Sequence, residues 1–136
     1  MANSILWGDT LKVNVGEIDT QHEKLISIMS RLHESFNAKT HGDTEKKILV
    51  ELIDYTRYHF GTEKKLMEDN DYDERQSHLE QHKEFVTKLA SLCEKHQVQN
   101  MEVSREVLAF LTSWIINHIL ETDKKLARFL IEKGGQ

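Results

Sequence analysis

Apolar residues recur at alternating steps of three and four along most of this chain, the spacing of one face of an α-helix. The pattern predicts four long amphipathic helices and a short last one, at about 19–38, 43–69, 73–97, 104–120 and 122–132. Residues 1–16 lack this period and predict an extended arm, anchored by Trp7. Because the connections are short, we expect one all-α domain over 1–136: an antiparallel up-down four-helix bundle with an extended N-terminal arm and a short C-terminal helical segment.

Ionisable side chains occupy positions on these apolar faces where a core needs apolar residues. In the second helix His59 and Glu63 are four residues apart, and in the third so are His78 and His82. Side chains at that spacing lie one above the other, about one turn apart, and can bind a single ligand together. The first and last long helices contribute further members, which completes the predicted inward set: His22, His59, Glu63, His78, His82, His118 and Asp123.

The pair His118 and Asp123 does not fit a regular helix. Five residues correspond to a turn of about 140° around the axis, so the two side chains share a ligand only if the helix is distorted. We therefore predict a bulge or a helix end between Asn117 and Asp123.

A metal centre is the interpretation that best accounts for so many inward ionisable groups. One unpaired ionisable group in an apolar interior costs several kcal/mol, against a total stability of about 5–15 kcal/mol for a small domain. Seven ligands exceed one tetrahedral zinc, whereas two ions bridged by Glu63 and Asp123 accommodate them with one position open. Imidazole with carboxylate suits iron, and two bridged irons form a redox pair whose natural chemistry is oxygen binding.

Apolar residues within one turn of these ligands are candidates for an O₂ pocket that excludes water, although plain core packing explains each one equally well. They are Leu25, Phe60, Trp114, Ile115 and Ile119. Glu17, Asp19 and Gln21 are candidates to accept the second N–H of a ligating imidazole, with solvent-facing roles as the alternative. His41 lies in a loop, His33 flanks the inward series of its helix and His96 lies near the far end of its helix, so we expect surface or capping roles for them.

Composition excludes several classes of protein. The net charge of −5 offers no electrostatic footprint for nucleic acid. No apolar run approaches the roughly 20 residues of a spanning helix, so no membrane contact by the chain itself is expected. Residues 1–10 show no secretory signal, and the single cysteine, Cys93, is expected as a small core residue. A single cysteine forms no internal disulfide, which is consistent with a reducing compartment although other locations are compatible with it, and we expect a cytoplasmic location.

The ordered motifs resemble those of the bacterial hemerythrins. They are Val15-Gly16-x-x-Asp19-x-Gln21-His22, His59-Phe60-x-x-Glu63 with Met67, His78-x-x-x-His82 with Phe85, and Trp114-x-x-x-His118-Ile119-x-x-x-Asp123. The resemblance runs from Trp7 to Asp123. One departure is Lys64, where many members of that family carry a second acid, and we expect Lys64 to face outward.

The resemblance implies a four-helix bundle that holds an oxo- or hydroxo-bridged, non-haem diiron centre and binds O₂ reversibly. It implies that Glu63 and Asp123 bridge two Fe ions. The first iron would be held by His78, His82 and His118, and the second by His22 and His59.

Three functions remain open at this point. The first is an O₂ carrier, store or sensor that is not an enzyme; hemerythrin domains also occur fused to signalling proteins, including chemotaxis receptors. The second is a diiron oxidase or peroxidase using the same site, although the Glu-x-x-His pair of ferritin-like oxidases is absent from the sequence. The third is a metal-free interaction bundle.

Overall fold

Four long helices and a short fifth form the described part of the chain. The computed structural model describes residues 8–38, 43–95 and 105–134. The elements are a 3₁₀ turn at Asp9–Leu11, α1 (Gly16–Asn37), α2 (Asp43–Asp69), α3 (Arg75–Lys95), α4 (Arg105–Asn117), a π-helical segment (His118–Asp123) and α5 (Lys124–Glu132). Helix α1 packs on α2, α2 on α3, and α3 on α4. This is the predicted all-α bundle. None of the described helices has the length and apolar character needed to cross a membrane.

Helix α1 begins at Gly16, three residues before the predicted start at Asp19. The carboxylate of Asp19 accepts hydrogen bonds from the backbone N–H groups of Val13 and Asn14, at 2.8 and 2.9 Å. Asp19 therefore lies inside the first turn and ties the arm to the helix. The arm contributes to the core through Val13 and Val15, which are buried. Trp7, its expected anchor, lies outside the described residues.

Helix α2 has the predicted bounds, 43–69, and α5 ends at the predicted residue 132, whereas the remaining described helix ends differ by one to three residues. Helix α3 begins at Arg75 instead of residue 73 and is described to Lys95, and α4 is described from Arg105 on, its predicted start at 104 lying outside the described residues. The largest difference is at the end of α4, where regular geometry stops at Asn117 instead of 120 because the π-helical segment follows.

The inward ionisable residues of α2 lie between two apolar layers. Leu52, before them, and Met67, after them, are both fully buried. On the facing helix α1, Met29 and Leu32 are also fully buried. The site is therefore enclosed within the core of the bundle and does not lie at its rim.

His33 is buried, so the expectation of a surface or capping role was wrong. Its Nε2 lies 2.8 Å from the hydroxyl oxygen of Thr112 on α4. The Thr112 hydroxyl donates to the carbonyl of Leu108 at 2.9 Å, which leaves its oxygen to accept from His33. Burial lowers the pKa of His33. His41 and His96 lie outside the described residues, as does the side chain of Cys93.

The lowered pKa of His33 makes the stability of the protein pH-dependent. Above the unfolded-state value of 6.5 both states are neutral at His33, so its contribution to stability is complete. As the pH falls from 6.5 to the lower folded-state pKa, the unfolded chain binds a proton at His33 that the folded chain does not, and that contribution is lost. Urea unfolding from pH 8 to pH 5 should therefore show wild type losing stability relative to His33→Gln, which does not titrate. Parallel pH profiles for the two proteins would contradict this.

Candidate metal centre

The seven predicted ionisable residues meet at one place in the core. All seven side chains are buried, and the most exposed of them, His82, is only 6% exposed. Their potential ligand atoms form two overlapping groups, and within each group all atoms lie within 4.8 Å of one another. The first group contains Glu63, His78, His82 and His118, and the second contains His22, His59, Glu63 and Asp123.

In the first group, three imidazole nitrogens crowd around one carboxylate oxygen. The Nε2 atoms of His78 and His82 lie 3.1 and 3.0 Å from Oε1 of Glu63. The Nε2 atoms of His82 and His118 are 3.2 Å apart. Two ring nitrogens at that distance cannot both point a proton at each other, so at least one presents a lone pair. A nitrogen lone pair and a carboxylate oxygen that converge in this way are an arrangement that a cation can occupy.

Both carboxylates divide their oxygens between the two groups. Glu63 turns Oε1 toward the first group, while its Oε2 lies 3.0 Å from Nε2 of His59 in the second. Asp123 places Oδ1 3.2 Å from Nε2 of both His78 and His118, and Oδ2 2.9 Å from Nε2 of His22. Each carboxylate thus has the placement of a bridging ligand between two ions.

The π-helical segment explains how His118 and Asp123 reach the same point. A π-helix pairs residues five apart, so these two residues, the first and last of the segment, lie on one side of it. A regular helix would place them about 140° apart. The predicted distortion between Asn117 and Asp123 is confirmed.

Several buried polar atoms of the site have no hydrogen-bond partner. Among the described side chains these include Nε2 of His59, Oε2 of Glu63 and Oδ1 of Asp123. The first two atoms are 3.0 Å apart, but their groups are not oriented as donor and acceptor. Each such atom costs about 1–3 kcal/mol when left unsatisfied. Because the orphaned atoms cluster among imidazoles and carboxylates, the donor set fits a metal site of the iron, manganese or zinc type.

Charge pairing keeps the site ionised despite its burial. Burial lowers the pKa of His22, but the hydrogen bond to Asp123 and the neighbouring charges raise it to about 9. Burial likewise lowers the pKa of His118, and the charge of Asp123 raises it to about 10. Burial raises the pKa of Glu63, but the surrounding histidines, His59 first, hold it well below its usual range. A cation that binds here at neutral pH therefore displaces protons from His22 and His118.

Two glutamines, one buried and one half-buried, accept hydrogen bonds from the Nδ1 atoms of His59 and His118. Oε1 of Gln21 accepts from Nδ1 of His59 at 2.7 Å, and the Gln21 amide donates to the hydroxyl of Thr62. This confirms Gln21 as one of the candidate acceptors; Glu17, by contrast, is exposed. Lys64 is also exposed, as expected.

Gln81 was missed by the sequence analysis. Its Oε1 lies 3.1 Å from Nδ1 of His118 and 2.7 Å from the hydroxyl of Thr122, which donates to it. The available signal was its position, next to His82 at the edge of the inward face of α3. Periodicity identifies such an edge residue but not its partners on another helix.

The five apolar candidate residues lie together beside the second group. Leu25, Phe60, Trp114, Ile115 and Ile119 all line a cavity of about 10 Å³ that also borders His22, His59 and His118. This volume is close to the smallest space that holds one water, roughly 10–15 Å³. Two of the aromatic residues brace ligand candidates: Phe60 stacks on His82 at 3.7 Å between ring centroids, and Trp114 stacks on His118 at 4.4 Å.

Thr56 also lines this cavity and was missed. Its hydroxyl donates to the carbonyl of Leu52 at 2.7 Å and is therefore already engaged with the helix backbone. Thr56 thus offers no free proton donor to a molecule in the cavity.

Comparisons with known proteins agree on one family. The model described as the hemerythrin HHE cation binding domain matches residues 13–130. A bacteriohemerythrin of Pseudomonas aeruginosa is 30% identical over 119 residues, which cover 88% of this chain and 76% of that protein. One of Methylococcus capsulatus is 31% identical over 111 residues, 82% of this chain and 84% of that protein. A crystal structure of wild-type hemerythrin has a TM-score of 0.79 at 29% identity and covers 93% of this chain and 97% of that chain. The matched range includes all seven residues of the candidate centre.

Proposed function

The chain belongs to the hemerythrin HHE cation binding domain family, and from that premise we propose that it binds O₂ reversibly at two iron ions in the bundle core. The observation that carries the proposal is that the two oxygens of each carboxylate lie toward different groups of histidines; we call these the divided carboxylates. Glu63 and Asp123 each present one oxygen to a group of histidines on either side. Two ions bridged by two carboxylates require that arrangement, whereas a single ion does not.

The distribution of histidines suggests which residues would hold each ion. His78, His82 and His118 would hold one iron, and His22 and His59 the other, with Glu63 and Asp123 bridging. The second iron would then have fewer protein ligands and an open position. In support, the small apolar cavity borders both His22 and His59, whereas of the other three histidines it borders only His118. When bound, the two irons would supply electrons to O₂ and take them back on its release.

The walls of the cavity favour binding over turnover. Leu25, Ile115 and Ile119 are buried apolar residues that exclude water from the position next to the second group. The Thr56 hydroxyl is bonded to the backbone, so among the described residues that line the cavity no carboxyl, imidazole or free hydroxyl outside the ligand set is poised to donate a proton. Oxygen activation by a diiron oxidase generally needs such a donor, and we therefore propose a binding protein and not an enzyme.

The proposal covers carrier, storage and sensing roles alike, since each requires the same reversible site. A signalling partner, fused or separate, and a cytoplasmic location stay predictions from the sequence.

Ile119→Glu tests the role of the cavity. Ile119 is 1% exposed and lines the cavity, so a carboxylate there would bring water and charge next to bound O₂. We expect the iron-loaded variant to lose its oxygenated form by autoxidation at least about tenfold faster, equivalent to about 1.4 kcal/mol in the barrier. Ile131→Glu, at a position that is 38% exposed, is the matched control and should leave the rate unchanged. Equal autoxidation rates for wild type and a folded Ile119→Glu variant would show that Ile119 does not line the O₂ pocket.

A further inference from the structure

We propose that Gln81 is a positioning residue that holds the π-helical segment in register, so that His118 and Asp123 face the same pair of ions. This inference rests on the proposed metal centre and adds a positioning role for a residue that is not itself a proposed ligand. A single oxygen atom on α3, Oε1 of Gln81, accepts from Nδ1 of His118 at 3.1 Å and from the Thr122 hydroxyl at 2.7 Å. His118 opens the segment and Thr122 is its last residue but one.

The π-helical geometry of the segment requires stabilisation by contacts with another helix, because the backbone on either side of it does not impose the distortion. Asn117, before it, has φ −66° and ψ −37°, and Lys124, after it, has φ −64° and ψ −35°, which are ordinary α-helical values. A π-helix is less favourable than the α-helix on either side of it. A shift to α-helical pairing would rotate Asp123 away from His118 by about 140° and remove a bridging carboxylate from the site.

The bond to Gln81 also fixes which nitrogen of His118 faces the centre. An amide oxygen accepts a proton and donates none, so in the neutral ring of His118 it is Nδ1 that carries the N–H and Nε2 that presents its lone pair. That Nε2 lies 3.2 Å from Oδ1 of Asp123 and 3.2 Å from Nε2 of His82. Gln81 thus sets both the position of the segment and the tautomer of its first residue.

Gln21 offers a natural comparison on the opposite side of the site. It also accepts from a histidine Nδ1, that of His59, and contacts a threonine, Thr62. His59 and Thr62, however, lie in the regular helix α2, where no alternative register competes. Loss of Gln21 should therefore affect one histidine, whereas loss of Gln81 should affect the backbone of a whole segment.

Solvent access decides which substitution to make. Gln81 and Thr122 both line two clefts of about 590 and 200 Å³ between α3 and the last part of the bundle. After Gln81→Ala, water from these clefts could replace the lost oxygen. Gln81→Leu fills the space and provides no acceptor, while Gln81→Glu keeps an acceptor at the same reach.

The first measurement uses metal-free protein, so it stands independently of iron and O₂. In hydrogen exchange, Gln81→Leu should exchange the amides of residues 118–123 at least about tenfold faster than wild type, because the side-chain bonds across the segment are gone. Gln81→Glu should restore protection. Gln21→Leu and Gln76→Leu, the latter at an exposed position of the same helix α3, should leave these amides unchanged. Thr122→Val, which removes one of the two bonds, gives a smaller effect in the same amides and serves if Gln81→Leu does not fold.

The second measurement reads the ligands with Co²⁺ as a spectroscopic probe. We expect Gln81→Leu to weaken Co²⁺ binding by about 10- to 100-fold and to change its visible absorption bands, as losses of such outer partners of metal ligands do. Gln81→Glu should return the wild-type bands, and Gln76→Leu should not alter them. If Gln81→Leu matches Gln76→Leu in exchange and in cobalt spectrum, Gln81 does not position the segment. If the exchange result holds while wild type binds no iron, the positioning role stands and the proposed function fails.

Discussion

Glu63→Gln is expected to lower the iron content of the purified protein from two ions per chain to one or fewer. Glu63 is fully buried, and its two oxygens lie 3.0–3.1 Å from Nε2 of His59, His78 and His82. Glutamine keeps the shape but removes the negative charge and turns one oxygen into an N–H donor, which no metal ion accepts. One proposed ion therefore loses its Glu63 ligand, and the other keeps only a neutral amide oxygen in place of the carboxylate. Iron per chain, measured by elemental analysis after expression in iron-supplemented medium, gives the result.

The matched control is Glu68→Gln, which makes the same chemical change at an exposed position of the same helix. It should retain the iron content of wild type. Two firmly held irons in Glu63→Gln would show that this carboxylate does not bridge, and the divided-carboxylate argument would then fail.

Removal of the metal should produce the largest change in stability. A ligand present at 1,000 times its dissociation constant stabilises the folded state by about 4 kcal/mol. In a domain of this size each kcal/mol shifts the melting temperature by about 2–4 °C, so a chelator should lower it by roughly 10 °C. The physical reason is the set of orphaned atoms on His59, Glu63 and Asp123, which would again lack partners in the core. Calorimetry of the iron-loaded protein before and after chelation under reducing conditions measures the shift.

A metal-free interaction bundle gives the opposite expectation. If the imidazoles and carboxylates satisfied one another, as in the 2.9 Å contact of His22 with Asp123, chelation would leave the melting temperature unchanged. Re-addition of Fe²⁺ under anaerobic conditions is the control, since it should restore the original melting temperature.

The sequence predicted which ionisable residues meet in the core better than it predicted the contacts that those residues make with other helices. The spacing of His59 with Glu63 and of His78 with His82 places each pair on one face of a helix, and a face is what periodicity reports. The pair His118 and Asp123 broke that period, and the need to bring them together predicted the distortion now seen as the π-helical segment. A departure from a regular pattern was therefore as informative as the pattern itself.

What the sequence could not supply were contacts between helices. Gln81 meets residues 37 and 41 positions away along the chain, and no local signal connects α3 with the π-helical segment. His33 was placed at the surface because it flanks the inward series of α1, but α4 covers that flank and Thr112 satisfies its ring. The start of α1 was misplaced because Asp19 has the chemistry of a cap but uses its carboxylate to bind the arm.

The central claim is that two irons in this bundle bind O₂ and release it again. An anaerobic optical titration tests it most directly, with the ferrous protein exposed to measured amounts of O₂ and then purged with argon. The account predicts a nearly colourless ferrous protein that develops visible absorption up to one O₂ per two irons and loses it when the gas is removed. Absorption that does not develop, or that persists after complete removal of O₂, would contradict reversible binding.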